Sequence, residues 1–299
     1  MVKGIAIGFV AAAALAAGCL SGIRSSGSKA DGWADLERRA GAGDAAALYE
    51  LGMRQAQGVQ GAPDWKAAAR AIRAAAERGH PEAQRHLGEL YARGLGVPPN
   101  AAQAAGWYRL AARQGVAEAQ FNLGVRLATG NGAARDVQEA LTWYRRAAEQ
   151  QLPQAQYMLG VHYAAGAGVA RDEAAAAAWY RKAADQGHAG AQYNLGLRCQ
   201  EGRGTPTNRA EAVAWFRKAA AQHDADALFA LGLCLYRGQG VEPDPIAGCV
   251  CFLRALAAGK TEAGEAVAVA RAELPAEAYA LAVREAERQE LLRRRRAAP

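Results

Sequence analysis

A glycine returns every 36 residues through most of this 299-residue chain: Gly52, Gly88, Gly124, Gly160, Gly196 and Gly232, with no insertion between copies. The surrounding residues return with it, and Gln154 to His188 (QAQYMLGVHYAAGAGVARDEAAAAAWYRKAADQGH) is the fullest copy. A fixed period of this size means supersecondary units that bury their apolar faces only by stacking on their neighbours. The expected fold is all-α: a right-handed α-solenoid of about six 36-residue helix-turn-helix repeats with helical caps, its length set by repeat number.

One copy explains the period physically. In Pro81 to Gly115, Pro81 suits the first position of a helix, where its missing N–H costs nothing, and Glu82 suits the positive end of the dipole. Ala83, Leu87, Gly88 and Tyr91 share one face at helical spacing. A glycine within a helix lowers its propensity, so six recurrences imply a helix crossing too close for a side chain. Gly94 and Gly96 then end the helix. Twelve residues past each repeat glycine stands Asp64, Asn100, Asp136, Asp172, Asn208 or Asp244, all good N-caps for a second helix. Asn100 with Gln103, Asp136 with Glu139, and Asn208 with Glu211 have capping-box spacing. These polar groups are therefore read as structural. The second helix carries Trp107-Tyr108, Trp143-Tyr144, Trp179-Tyr180 and Trp215-Phe216, each followed one turn later by two small residues, as an interlocking pair needs. It stops at Gly79, Gly115, Gly187 and Gly259, with Gln151 and His223 in the same slot of two copies.

This pattern, with AQYNLG at Ala191–Gly196 and WYRKAADQG at Trp179–Gly187, resembles the Sel-one-like repeat (SLR), a family of tetratricopeptide-like α-solenoids. The resemblance covers six copies over residues 44–261. The first departs from it with Ala71 in the tryptophan slot and Gln60 in the second loop-glycine slot, and the sixth with Cys251-Phe252, as terminal copies do. The resemblance implies a protein-protein interaction scaffold or adaptor. A second implication is an immunity protein that neutralises a cognate secreted toxin, such as a lipase delivered into the periplasm. A third is a β-lactam-binding protein or envelope hydrolase. The relatives linked to that chemistry carry a cysteine pair in every repeat, which is absent here.

The ends have their own character. Residues 1–18 combine Lys3 with an apolar run from Ile5 to Ala17, too short to span a bilayer but suited to a signal peptide. Leu15-Ala16-Ala17-Gly18-Cys19 resembles a bacterial lipobox, which implies a lipoprotein signal peptide, lipidation at Cys19 and membrane attachment. Leu20 in place of Asp implies sorting to the outer membrane, facing the periplasm. Ordinary cleavage and soluble secretion is the alternative. Residues 19–32 then form the lipidated cysteine and a flexible tether. Residues 33–43 read as a capping helix in second-helix register. Residues 262–299 read as C-terminal capping helices with a basic tail, in which Tyr279, Leu281, Val283, Leu291 and Leu292 are expected to cover the last repeat.

Function is constrained mostly by exclusion. The net charge of +7 falls to +2 once Lys3 and Arg293 to Arg296 are set aside, so no nucleic-acid surface is indicated. The G-x-G pairs lie between helices, never after a strand, so they are not phosphate loops. His80 and His188 share a repeat slot and look structural. His86, His162 and His223 lack the partners of a catalytic or metal site, and Cys249-x-Cys251 lacks the second pair of a zinc site. Cys199, Cys234, Cys249 and Cys251 read as buried thiols, with one disulfide as the alternative. The expectation is no enzyme, no cofactor, no metal, no small-molecule substrate, and a protein partner of unknown identity, with the membrane engaged through the lipid anchor.

By analogy with tetratricopeptide folds, the first helices line the concave face. Three residues before each repeat glycine stand Tyr49, Arg85, Phe121, Tyr157, Tyr193 and Phe229, and one after stand Met53, Glu89, Val125, Val161, Leu197 and Leu233. From Arg85 and Glu89 onward these form the candidate groove for a helix or extended peptide, with packing between repeats as the alternative. Arg54, Arg126, His162 and Arg198, two after the glycine, form a candidate polar flank that would favour an acidic partner.

Overall fold

The structure is a computed structural model that describes residues 29–59 and 61–297. The expected signal peptide, the candidate lipidation site Cys19 and the expected tether as far as residue 28 lie outside the described residues. Among the described residues fifteen helices follow one another. The first is α1 (Lys29–Gly41), which begins four residues earlier than the expected Trp33 and takes up the end of the expected tether. Twelve helices of 13 residues each then form the pairs: α2 (Ala45–Gln57) with α3 (Trp65–Glu77), α4 (Pro81–Arg93) with α5 (Ala101–Arg113), and α6 (Ala117–Thr129) followed by α7 (Val137–Glu149). The series continues with α8 (Pro153–Ala165) and α9 (Glu173–Asp185), α10 (Ala189–Glu201) and α11 (Arg209–Ala221), α12 (Ala225–Arg237) and α13 (Pro245–Ala257). Two helices close the chain, α14 (Ala263–Glu273) and α15 (Ala276–Ala297). The described residues divide into two compact units, one through Arg135 and one from Asp136.

Within a pair, the repeat glycine is the contact. A β-carbon at Gly88 would meet the Tyr108 ring at 2.8 Å, one at Gly160 the Tyr180 ring at 2.6 Å, and one at Gly196 the Phe216 ring at 2.5 Å. The aromatic residue of the second helix therefore lies flat on bare backbone, and Leu87, Leu159 and Leu195 are fully buried beside it. Between pairs, the second loop glycine does the corresponding work. Gly96 at φ +70° and Gly204 at φ +69° sit against the first-turn carbonyls of Trp65 and Glu173, the starts of α3 and α9, with no room for a side chain.

Caps close the helices. All six expected N-caps accept a backbone N–H three residues on: Ala67 to Asp64, Gln103 to Asn100, Glu139 to Asp136, Ala175 to Asp172, Glu211 to Asn208 and Ala247 to Asp244. The return half of the capping box differs from expectation. The N–H of Asn100 donates to the Tyr91 carbonyl and that of Asn208 to the Cys199 carbonyl, so neither needs a side chain. Glu211 instead accepts the indole N–H of Trp215 at 3.2 Å, and Glu139 that of Trp143 at 3.1 Å. His80 and His188 cap α4 and α10 through Nδ1, accepting from Ala83 and Ala191. Asp44 and Asp224 fill the same slot at α2 and α12.

At the far end α15 packs on α13. Ala282, Ala286 and Tyr279 meet Cys249 and Val250. Leu281, Leu291 and Leu292, expected to join that cover, are about half exposed: at 100° per residue each lies 80° or more round the helix from Ala282 and Ala286, and Leu291 borders a cleft with Leu253 and Ala257 of α13. No described helix is long and apolar enough to cross a membrane. Cys199, Cys234, Cys249 and Cys251 are buried free thiols. Burial pushes their ionisation up, for Cys251 to about 11.

Candidate functional site

The first helix of each pair places its candidate groove residues at positions three before and one after the glycine, four residues apart and so on one face. All ten of them are half-buried: Arg85, Glu89, Phe121, Val125, Tyr157, Val161, Tyr193, Leu197, Phe229 and Leu233. Their inner edges belong to the core. Tyr157 tilts against Tyr180 with ring centroids 5.9 Å apart, Tyr193 against Phe216 at 6.0 Å, and Phe229 against Phe252 at 5.8 Å. Tyr157 also stacks on His188, the cap of the next repeat, at 4.5 Å. Burial raises the hydroxyl ionisation of Tyr157 and Tyr193. The slot therefore joins packing inside the repeat to an outer edge that solvent reaches.

The second copy fills the same slots with charge. Arg85 binds Glu82 at 2.8 Å and lies 3.8 Å from Glu89, which binds Arg93 at 2.9 Å, a ladder along one face of α4. Arg85 also donates to Nε2 of buried His86, whose Nδ1 lies 3.1 Å from the Glu82 carbonyl and 3.0 Å from the Tyr49 hydroxyl. Burial first, and Arg85 second, press the ionisation of His86 down to about 3, so the imidazole is neutral at physiological pH.

The candidate polar flank does not form as expected. His162 is buried, with Nδ1 2.7 Å from the Ala167 carbonyl of its own loop. Arg198 leaves only 12% of its side chain exposed, binds Glu173 at 2.9 Å and lies over the Tyr180 ring. Arg54 is paired with Glu50 at 2.5 Å. Arg126 is half-buried near Tyr108. Three of the four residues thus spend their polar groups inside the repeat, and the reason for expecting an acidic partner falls away.

One set of residues escaped the sequence reading. Gln84, Gln120, Gln156 and Gln192 are buried one turn before the repeat glycine. Each donates its amide N–H to a carbonyl ending the second helix of the preceding repeat: Ala76, Ala112, Ala148 and Ala184. The carbonyl of Gln84 accepts from Gln114 at 2.8 Å, that of Gln156 from Gln186 at 2.8 Å, and that of Gln192 from Gln222 at 2.9 Å. Two glutamines per repeat, each recurring at 36, were the available signal. The arrangement ties neighbouring repeats through buried amides that have no alternative partner in water.

Among the described residues no cluster of three or more His, Cys, Asp or Glu side chains is placed to hold a metal ion.

Comparison with known proteins agrees with the repeat geometry. The Sel1 repeat family model matches residues 81–116, 117–152, 153–188, 189–224 and 225–260. The helix pair α2 and α3 has the same spacing ahead of them. Among solved structures, a protective antigen of uropathogenic Escherichia coli displaying an SLR fold is 35% identical, with a TM-score of 0.77 over 86% of this chain and 56% of that protein. The chain thus spans a little over half the length of that relative. A Sel1 repeat protein from Oxalobacter formigenes is 30% identical, with a TM-score of 0.67 over 74% of this chain and 86% of its own. An immunity protein from Pseudomonas aeruginosa is 22% identical, with a TM-score of 0.44 over 72% of this chain and 81% of its own, too remote to bear on function. No curated protein matches the sequence. Sel1 repeats are protein-interaction repeats, and this chain, an α-solenoid of such units, belongs to the Sel1 repeat family.

Proposed function

We propose that the chain is a membrane-tethered scaffold that holds a protein partner against the outer edge of its first helices, without catalysis and without a cofactor. The observation that carries this is the recurrence of Tyr157, Val161, Tyr193, Leu197, Phe229 and Leu233 along α8, α10 and α12. They give the unit from Asp136 onward a half-exposed apolar row stepped by one repeat at a time. A regular row of this kind suits a helix or an extended segment with apolar anchors. Cys19 is the proposed lipidation site and the outer membrane, on its periplasmic side, the proposed address. Both rest on the lipobox-like residues and Leu20.

The test uses an interruption that spares the aromatic packing. Val161→Arg and Leu233→Arg place charge on the outer edge and leave Tyr157, Tyr193 and their ring partners intact. Parent and variant chains are used as bait in envelope extract, with thermal melting of each variant as the folding control. Loss of the same retained protein from both variants, at unchanged melting temperature, supports the row as the docking face. Undiminished retention would place the partner elsewhere. Radiolabelled palmitate incorporation that survives Cys19→Ser would sink the proposed anchor.

A further inference from the structure

The last helix has a second face, which the repeat array leaves largely open. The inner side of α15 carries Tyr279, Ala282 and Ala286 onto α13. On the outer side, helical geometry gathers Leu281, Arg284, Arg288, Leu291, Leu292 and Arg295 within a sector of about 100°. Leu281 is 49% exposed, Leu291 52% and Leu292 43%. The three arginines are exposed as well. Single exposed leucines are ordinary, whereas three on one stripe interleaved with cations form a patch.

Cations outnumber acids on this face. Of the acids on and beside it, Glu285 accepts from Arg288 and Gln289 and Glu290 from Arg293 and Arg294, while Glu277, one turn before Leu281, and Glu287, beside Leu291, are exposed. Arg284 and Arg295 have no carboxylate partner among the described residues. The helix dipole accounts for cations in the final turn. It does not account for Arg284 and Arg288, two or more turns earlier, or for the leucines between them.

The geometry points to an anionic lipid surface as the occupant of this face. With α15 lying in the plane of the interface, Leu281, Leu291 and Leu292 enter the acyl boundary while Arg284, Arg288 and Arg295 reach lipid phosphates. Interleaving favours lipid over an acidic protein. Arginine stems lie along an apolar surface with their heads at the phosphates, so mixed leucine and arginine on one stripe match a layered interface. Adsorption rather than insertion follows from the absence, among the described residues, of a helix able to span. This contact is independent of the proposed anchor and of the row on α8, α10 and α12.

Sedimentation with vesicles tests it. The full chain is mixed with vesicles of phosphatidylcholine alone or with added phosphatidylglycerol, at low and high salt. Two variants are compared, R284E/R288E/R295E and L281S/L291S/L292S, with circular dichroism to check that each keeps its helix. The apolar run from Ile5 to Ala17 is common to all three proteins, so its contribution cancels. The expected result is salt-sensitive binding to the phosphatidylglycerol vesicles that falls by about tenfold or more in the arginine variant and also weakens in the leucine variant. Equal sedimentation of the arginine variant, or equal binding to pure phosphatidylcholine, would overturn the assignment. So would a doubling of mass that L281S/L291S/L292S abolishes, without vesicle binding, since a second copy would then own the stripe.

Discussion

Gln151 and His223 hold backbone angles that their four counterparts leave to glycine. Their φ values are +64° and +65°, where Gly79, Gly115, Gly187 and Gly259 take +87° to +95°. The slot is open: a β-carbon built at any of those four glycines meets nothing within 4 Å. Any cost at Gln151 and His223 is therefore backbone strain, free of crowding. A residue with a β-carbon pays about 1–2 kcal/mol in the left-handed region. Glycine offsets about 0.5–1 kcal/mol of that gain through its looser unfolded chain. Each replacement also removes one long hydrogen bond, Gln156 Nε2 to Gln151 Oε1 at 3.3 Å or Arg254 Nη2 to His223 Nδ1 at 3.3 Å. The net expectation is a stabilisation of about 0.5 kcal/mol per site, or about 1 kcal/mol for Gln151→Gly with His223→Gly. Both sites lie in the unit from Asp136 onward, where that sum corresponds to a rise in Tm of about 2–4 °C. Differential scanning calorimetry of the double variant reads this directly. Gly187→Ala is the converse and should lower stability by about 1 kcal/mol. A double variant that melts at or below the parent, beside a Gly187→Ala protein that melts with it, would refute the strain argument.

Other expectations concern caps, crossings and buried amides. His80 and His188 must be neutral to accept at Nδ1, and burial lowers their ionisation below the usual value near 6.5. The unfolded chain then takes up protons first, so stability is full above pH 6.5 and is lost as pH falls from there toward the lower folded value. Urea midpoints at neutral and mildly acid pH should show this loss, and H80D/H188D, which copies Asp44 and Asp224, should reduce it. Gly196→Ala forces a methyl to 2.5 Å from Phe216 and should cost about 1–3 kcal/mol in chemical denaturation, partly recovered by Phe216→Leu. Gln192→Leu leaves the Ala184 carbonyl without its amide donor and should cost about 1–3 kcal/mol. Adding Gln222→Ala should restore part of it, because the sixth copy already carries Leu228 and Ala258 in these two slots.

What the sequence made legible depended on spacing alone. The N-caps at Asp64 through Asp244 and the close crossing at Gly88 or Gly196 follow from one residue type at one recurring position, and the structure has them there. Pairings between different positions were less legible. Arg198 looked like a free cation because its partner Glu173 stands in the preceding helix of another register. Glu139 and Glu211 looked like capping-box partners because a tryptophan four residues on is as close as the N-cap three residues back. The buried glutamines went unread since an amide is ordinarily placed toward water, and their acceptors are carbonyls eight residues upstream across a turn. The candidate row was legible as a row, but its half-burial reflects both ring packing and access, which periodicity does not separate.

The glutamine ties imply a rule about how such a chain can change length. Gln114 meets Gln84, Gln186 meets Gln156 and Gln222 meets Gln192 at one offset of 30 residues, and the loop glycines meet the previous helix at an equally constant one. Removing residues 189–224 would join His188 to Ala225 and leave the junction the same kind of neighbour it had before. A loss of a single residue inside a pair would break the glycine crossing and the amide ties of that copy together. Length is thus quantised: gene duplication and deletion can add or subtract whole copies, while the half-exposed row on the first helices grows or shrinks in steps of one repeat.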